Sequence, residues 1–278
     1  MDLDIEHLRT WIGRTETAAD IVTERLANGL RATLGEGPLV IGDEAPLAIQ
    51  WCLAPPIVPA GQLGRDGHPV RGGFLPPVPL PRRMWAGGAL RFHESIQVGD
   101  TVERHSRIAD VTAKEGRSGA LCFVTVEHEY RTPRGLALSE RHDIVYRGEA
   151  SGAPAKPAAI EQPEPQWREE ITTDPVLLFR YSALTFNGHR IHYDRDYATK
   201  VEGYDGLVVH GPLQATLLLR LATRAIGTPP RSFSFRGINP LFEGASVMLA
   251  AARTEDGLRL WASRVSGETT MIADAVWS

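Results

Sequence analysis

The sequence predicts an α+β protein built from two helix-plus-antiparallel-sheet units in one chain. Three observations carry this. Segments of helical period are followed by runs of strand-like segments, and that order occurs twice. A low-complexity stretch rich in Ala, Pro, Glu and Gln over residues 151–166 separates the two occurrences. A local phrase is also shared. Leu90-Arg91-Phe92 through Gly99-Asp100-Thr101-Val102 lines up with Phe233-Ser234-Phe235 through Gly244-Ala245-Ser246-Val247, each running from a strand through a bend to Gly-x-x-Val and a second strand. The expected division is an N-terminal unit over 1–150, a linker over 151–166 and a C-terminal unit over 167–278.

Taken in order, Leu3, Ile5, Leu8, Trp11 and Ile12 recur at roughly helical spacing. Ile21, Leu26 and Leu30 continue the pattern until Gly35-Glu36-Gly37-Pro38 stops it, so residues 1–37 are expected to be helical. Residues 54–81 hold too many prolines and glycines for regular structure. A loop of that length either covers a cleft or is a surface excursion, and both readings stay open. Strands are expected at Ala89 to Ile96, Thr101 to Val111, Leu121 to Tyr130 and Ala137 to Tyr146, with turn signals between them, as a four-stranded meander. In the second half Asp174 caps a helix with Pro175 at its first position, running past Tyr181. Gly211-Pro212 opens another, from Leu213 to about Ile226, apolar nearly all round as a helix buried in a wrapped sheet would be. Strands follow over 231–235, 245–254, 257–266 and 269–277.

Totals exclude some partners. With 278 residues, 42% hydrophobic and 23% charged, the chain is an ordinary globular one. A net charge of −4 speaks against nucleic acid as a partner, and no apolar run approaches the roughly 20 residues of a membrane span. Met1-Asp2-Leu3-Asp4-Ile5-Glu6 is acidic and unlike a signal or transit peptide, so a cytoplasmic protein is expected. Cys52 and Cys122 lack metal-ligand spacing and are expected as reduced thiols. Neither a dinucleotide fingerprint nor a P-loop is present, and no metal or redox cofactor is expected.

The chemistry concentrates in Phe186-Asn187-Gly188-His189-Arg190-Ile191-His192-Tyr193-Asp194 and, shortly after, Val208-Val209-His210-Gly211-Pro212. Three of the nine histidines lie here, and imidazole is the side chain whose charge changes near neutral pH.

These segments resemble the MaoC-type hydratases and dehydratases of the hot-dog fold, in which a long helix lies in a curled antiparallel sheet. The family motif reads Gly-Asp-x-Asn-Pro-x-His, with a small residue six positions on, and then Val-His-Gly at the start of the central helix. Here Asn187 stands at the Asp, His189 at the Asn, Arg190 at the Pro and His192 at the His, with Ala198 six beyond; Val209-His210-Gly211 matches the second segment. The resemblance is specific over 174–252 and loose elsewhere. It is narrower still to a two-domain branch, the mesaconyl-C4-CoA (3-methylfumaryl-CoA) hydratases and the type 2 hydroxyacyl-thioester dehydratases. It implies a double hot-dog whose first unit has lost the motif and enlarges an acyl cleft. It implies a hydro-lyase acting on an acyl-CoA or acyl-thioester, with CoA as part of the substrate and no further cofactor, as a homodimer. The leading reaction is hydration of mesaconyl-C4-CoA to a citramalyl-CoA-type 3-hydroxyacyl-CoA. The alternatives are a fatty 3-hydroxyacyl-thioester dehydratase and a non-catalytic acyl-thioester-binding subunit.

Such hydration needs a base for water at C3 and donors for the charge developing on the thioester oxygen. His192 is expected to be the base. Asn187 departs from the family's Asp, and an amide exchanges no proton, so it either orients water or is a turn residue beside Gly188. Gly211 offers its N–H at a helix start, and either receives that charge or simply caps the helix. His189, Arg190, Tyr181, His210 and Arg236 are expected to contact substrate. Arg180, Arg190 and Arg236 are the candidates for a free carboxylate or CoA phosphates.

Overall fold

A computed structural model describes residues 3–116, 119–148, 160–244 and 246–278. The chain begins with a short helix α1 (Ile5–Arg9), then strand β1 (Thr15–Ile21) and helix α2 (Glu24–Thr33). The strands β2 (Arg82–Phe92), β3 (Thr101–Gly116), β4 (Gly119–Thr132) and β5 (Gly135–Arg147) follow. The second half runs β6 (Trp167–Thr172), α3 (Pro175–Leu184), α4 (Gly211–Ile226), β7 (Ser232–Gly237), β8 (Ser246–Arg253), β9 (Gly257–Arg264) and β10 (Thr269–Val276). No helix among the described residues is long and apolar enough to cross a membrane.

All ten strands join in one antiparallel sheet, ordered β1-β3-β4-β5-β2-β7-β10-β9-β8-β6. Read outward from the centre, the halves are alike: β2-β5-β4-β3-β1 on one side and β7-β10-β9-β8-β6 on the other. At the join Leu90 sits opposite Phe233, flanked by Ala89 opposite Ser234 and Arg91 opposite Ser232. Leu90 and Phe233 are the residues that open the two copies of the shared phrase, so the repeated sequence meets itself across this join.

Three expectations change. Residues 15–21 form a strand, not a helix: Thr15 to Ile21 pair in register with Arg107 to Thr101 and supply β3 with its outer neighbour. The helical period is kept in α1 and in α2, where the Thr23 side chain accepts from the N–H of Leu26 at 3.2 Å. The meander holds for β3-β4-β5, but β2 packs beside β5 rather than β3, since that is what leaves its other edge for β7. A further strand, β6, precedes α3; its burial alternates along Trp167–Thr172 and it pairs with β8. Asp174 caps α3 as expected, accepting from the N–H of Leu177 at 2.8 Å. Most of the 151–166 stretch, residues 151–159, lies outside the described residues, while 160–166 is irregular.

The two halves differ where the long helix should be. In the C-terminal half α4 is almost entirely buried, with Leu213, Leu217, Leu218 and Leu221 packed in one core with Leu249, Ala251, Leu260, Ala262 and Ala273 of β8–β10. Alanines on those strands let the helix lie close. Among the described residues the N-terminal half has no such helix. Val78, Leu80 and the half-buried Phe74 and Leu75 of the 53–81 loop, with Leu8, cover Ile108, Val111, Cys122, Val124, Val126, Ile144 and Tyr146 instead. Both cysteines are free and buried, and burial pushes the thiols up to about 12 (Cys52) and about 11 (Cys122).

Candidate active site

The site is made by the turn after α3. Phe186 takes a left-handed conformation (φ 49°), and the N–H of Asn187 donates to the carbonyl of Ser182 at 2.8 Å, reversing the chain. The Asn187 side-chain oxygen accepts from the N–H of His189 at 3.0 Å, an Asx turn that aims the next residues back at α4. His192 then lies buried, its Nδ1 2.6 Å from the carbonyl oxygen of Val208. A carbonyl can only accept, so Nδ1 carries the proton and Nε2 keeps its lone pair. His210 stacks beneath this ring at 3.7 Å between centroids and is held by Ser182 Oγ, 2.8 Å from its Nε2. Burial depresses both imidazoles, His192 to about 4 and His210 well below its ordinary value, so both are neutral near pH 7.

The 53–81 loop docks onto this turn. The N–H of Arg190 donates to the carbonyl of Asp66 at 2.9 Å, and its Nη1 to that of Arg65 at 3.1 Å. Gly67, at φ +88°, lies so close to Gly188 that a Cβ would fall 1.9 Å from the Gly188 carbonyl oxygen. This contact delivers His68, whose Nδ1 is 3.1 Å from Asp66 Oδ2. Its ring lies 4.2 Å from that of His189, which in turn meets His192 edge-on at 5.4 Å. Burial, and then the charge of Arg83, hold His68 near 4; the Asp66 carboxyl is held well below the usual carboxylate range by its bonds to His68. Of the two readings of this loop, the structure gives the cleft cover.

The cleft beneath it has a volume of about 2040 Å³ and takes walls from both halves. Asn187, His189, His192, Tyr181 and Gly211 line it, opposite Trp51, Trp85 and His142 of the N-terminal half. Gly211 is the first residue of α4, so its N–H has no intrahelical acceptor. A Cβ there would stand 3.9 Å from the Trp85 carbonyl oxygen, ordinary contact, so the fold alone does not demand glycine. Gln50 Nε2 and Arg104 Nε, both belonging to side chains on the cleft wall, are buried without a hydrogen-bond partner.

Several residues expected at substrate lie elsewhere. His210 is wholly buried under His192 and forms no part of the cleft wall. The Arg190 guanidinium is bonded to Asp194 at 2.7 Å and lies 4.3 Å over the Tyr197 ring, turned to loop docking. Arg236 follows the buried Phe235 on β7, so the two-residue period puts it on the opposite, exposed face. Arg180 is exposed on α3. What the sequence reading missed are the Asp66–His68 pair and Arg83, both brought in from the N-terminal half. Asp66, His68 and His189 also place donor atoms within 4.8 Å of one another, a spacing at which a divalent ion could be held, against the expectation of no metal. The Asp66–His68 hydrogen bond satisfies two of the three without one.

A family model described as Hydroxyacyl-thioester dehydratase type 2 matches residues 48–243, which takes in the docking loop, the histidine-bearing turn and α4. The chain belongs to this family. Among curated relatives, the mesaconyl-C(4)-CoA hydratase of Chloroflexus aurantiacus is 44% identical over 267 residues, 95% of each chain. Among solved structures, HtdX of Mycobacterium tuberculosis superposes with a TM-score of 0.68 at 18% identity, over 94% of this chain and 99% of that one. A second M. tuberculosis protein, described as a double hotdog fold, gives 0.56 at 16% identity over 94% of both. This member of the family therefore has the double hot-dog architecture that its repeated strand order already shows.

Proposed function

We propose that the chain catalyses reversible hydration of a 2-enoyl-CoA thioester, with mesaconyl-C4-CoA as the acyl-CoA substrate and a citramalyl-CoA-type 3-hydroxyacyl-CoA as product. One observation carries this: a neutral imidazole, His192, with its proton fixed on Nδ1 and its Nε2 free, in a cleft shared with the N-terminus of a buried helix. The 44%-identical hydratase supports the substrate.

In the forward step His192 Nε2 takes a proton from water, and the water oxygen bonds to C3. The C2=C3 electrons move toward the thioester oxygen, where the free Gly211 N–H and the positive end of α4 receive the charge. The enolate then takes a proton at C2 from the imidazolium, so water is divided across the double bond and no electron is gained or lost. Asn187 exchanges no proton; with its oxygen engaged by His189, its amide N–H groups remain to hold the water. His68, oriented by Asp66 as a second neutral imidazole with a free Nε2, stands where it can hold or relay the same water. No metal or cofactor beyond the CoA of the substrate is invoked.

A second reading, dehydration of longer 3-hydroxyacyl thioesters, has one observation in its favour: the matching family model is that of the type 2 hydroxyacyl-thioester dehydratases. Initial rates with mesaconyl-C4-CoA and with medium-chain enoyl-CoA esters separate the two. The same proposal takes the protein as a cytoplasmic homodimer, with the outer strands β1 and β6 available to a second copy, which sedimentation tests.

A further inference from the structure

The substrate proposed above carries a free carboxylate on the carbon that water attacks, and none of the arginines expected to receive it lies on the cleft wall. Resting on that reading, we propose that Arg83 is the carboxylate anchor of the acyl site and sets its preference for a dicarboxylic monothioester.

Position comes first. Arg83 lies on β2, two residues before Trp85 and therefore on the same face of the strand, and both line the cleft. Trp85 marks the start of α4: its carbonyl oxygen stands 3.9 Å from where a Cβ on Gly211 would be. Two residues of strand advance about 6.6 Å at ~3.3 Å each. A thioester oxygen held at Gly211 therefore leaves the other end of a four-carbon diacid facing the reach of the Arg83 side chain. The same guanidinium charge is felt at His68, His142 and His189, on three different segments around the cleft, and Arg83 lines one hollow together with Asp66 and His189.

Charge comes second. Most other cations of the same wall are engaged; Arg147, whose Nε is buried without a partner, follows Tyr146 on β5 and so falls on the opposite face from Arg83 and Trp85. Arg82 pairs with Glu202 at 3.2 Å, Arg104 with Glu16 at 3.4 Å, and Arg71 gives its N–H groups to the carbonyls of Val78, Leu80 and Pro81. Arg83 has no carboxylate partner among the described residues, and the imidazoles around it are neutral. Directly across the ladder lies the buried hydroxyl of Tyr146, close enough to feel the Arg83 guanidinium but, as a neutral phenol, unable to supply a counter-charge. Removing the half-buried Arg83 guanidinium from water without a counter-charge is costly. A planar carboxylate supplies both the charge and the acceptor oxygens that the guanidinium fork fits.

The test compares mesaconyl-C4-CoA with crotonyl-CoA, which lacks the carboxylate, by initial hydration rates for the wild type, Arg83→Gln and Arg83→Lys. The anchor predicts that kcat/KM for the diacid relative to crotonyl-CoA falls by about 10- to 100-fold in Arg83→Gln, the range of a charge-assisted hydrogen bond. It also predicts that Arg83→Lys recovers part of the preference, because the charge returns without the fork. A ratio unmoved in a folded Arg83→Gln overturns the anchor while leaving hydration intact. If Arg83→Gln does not fold, a lysine variant with the full wild-type ratio overturns the fork-specific reading, and one with a reduced ratio supports it. A wild type preferring crotonyl-CoA overturns the anchor and the dicarboxylic substrate together, whereas a wild type inert to both overturns the hydratase reading itself.

Discussion

The imidazole of His192 donates from Nδ1 to the main-chain oxygen of Val208 at 2.6 Å, a bond that decides which nitrogen faces the cleft. Its strength does not depend on substrate, because Val208 precedes α4 and its own N–H is tied to the carbonyl of Ile191 at 2.9 Å. The histidine-bearing turn and the helix start are thus locked to each other from both sides. His192→Ala is expected to lower kcat for enoyl-thioester hydration by about 10²- to 10⁴-fold, the usual range for a general base, with the far-ultraviolet spectrum unchanged. A variant within threefold of wild type would remove His192 from the mechanism.

The acid limb of the pH profile follows from burial. With His192 held near 4, the base stays neutral down to that region, so kcat/KM is expected to be flat from pH 7 to about 5 and to fall with a midpoint near 4. A midpoint near 6.5 would mean a solvated imidazole and contradict the buried site.

Stability carries the same sign. His68, His128 and His192 are depressed by burial to about 4, 3 and 4, and protonate near 6.5 once unfolded. Between those values the unfolded chain binds more protons. Their contribution is therefore present above about pH 6.5 and is lost as the pH falls from there toward 4, at up to about 1.4 kcal/mol per pH unit for each. Denaturant midpoints are expected to drop between pH 7 and 5; a midpoint constant over that window would contradict the burial of these rings.

Asn187→Asp restores the family's carboxylate without losing the acceptor for the N–H of His189. A negative charge beside His189 and His192 favours their protonated forms, so the acid limb of kcat/KM is expected to rise by about one unit. An unmoved limb would place Asn187 away from the reacting groups.

Loop docking is testable at Gly67. Gly67→Ala faces both a positive φ and a Cβ 1.9 Å from the Gly188 carbonyl, so the loop must lift. We expect a loss of at least about 1–2 kcal/mol in stability and a loss of activity shared by His68→Ala. Dialysis against EDTA is expected to leave activity unchanged; its loss and return with a divalent ion would make Asp66, His68 and His189 a metal site instead.

The features legible in the sequence were local ones. Alternation along Cys122, Val124 and Val126, the Asp174-Pro175 cap and the nearly all-apolar helix after Gly211 each depend on neighbours within a few residues. The strand Thr15–Ile21 was not legible, because its Thr-Glu-Thr-Ala-Ala-Asp-Ile sequence has no strong alternation and owes its conformation to β3, more than 80 residues away. The turn after α3 stood out by its histidine spacing, but its partners did not. Arg65 and Arg190 are 125 positions apart and are joined only by docking of the 53–81 loop, and nothing local to Asp66-Gly67-His68 announces where it lands. The misplaced arginines have the same origin: sign of charge is visible in a sequence, whereas the face of β7 on which Arg236 falls depends on which of its neighbours the core takes.

The most direct test follows the conjugated enoyl-thioester absorbance of mesaconyl-C4-CoA with wild-type protein and His192→Ala, with free thiol assayed in parallel. The account predicts loss of absorbance without thiol release in the wild type, and no loss in the variant. Thiol release in step with the absorbance change would make the reaction hydrolysis, and an unchanged rate in His192→Ala would contradict the role of the neutral imidazole at the centre of the site.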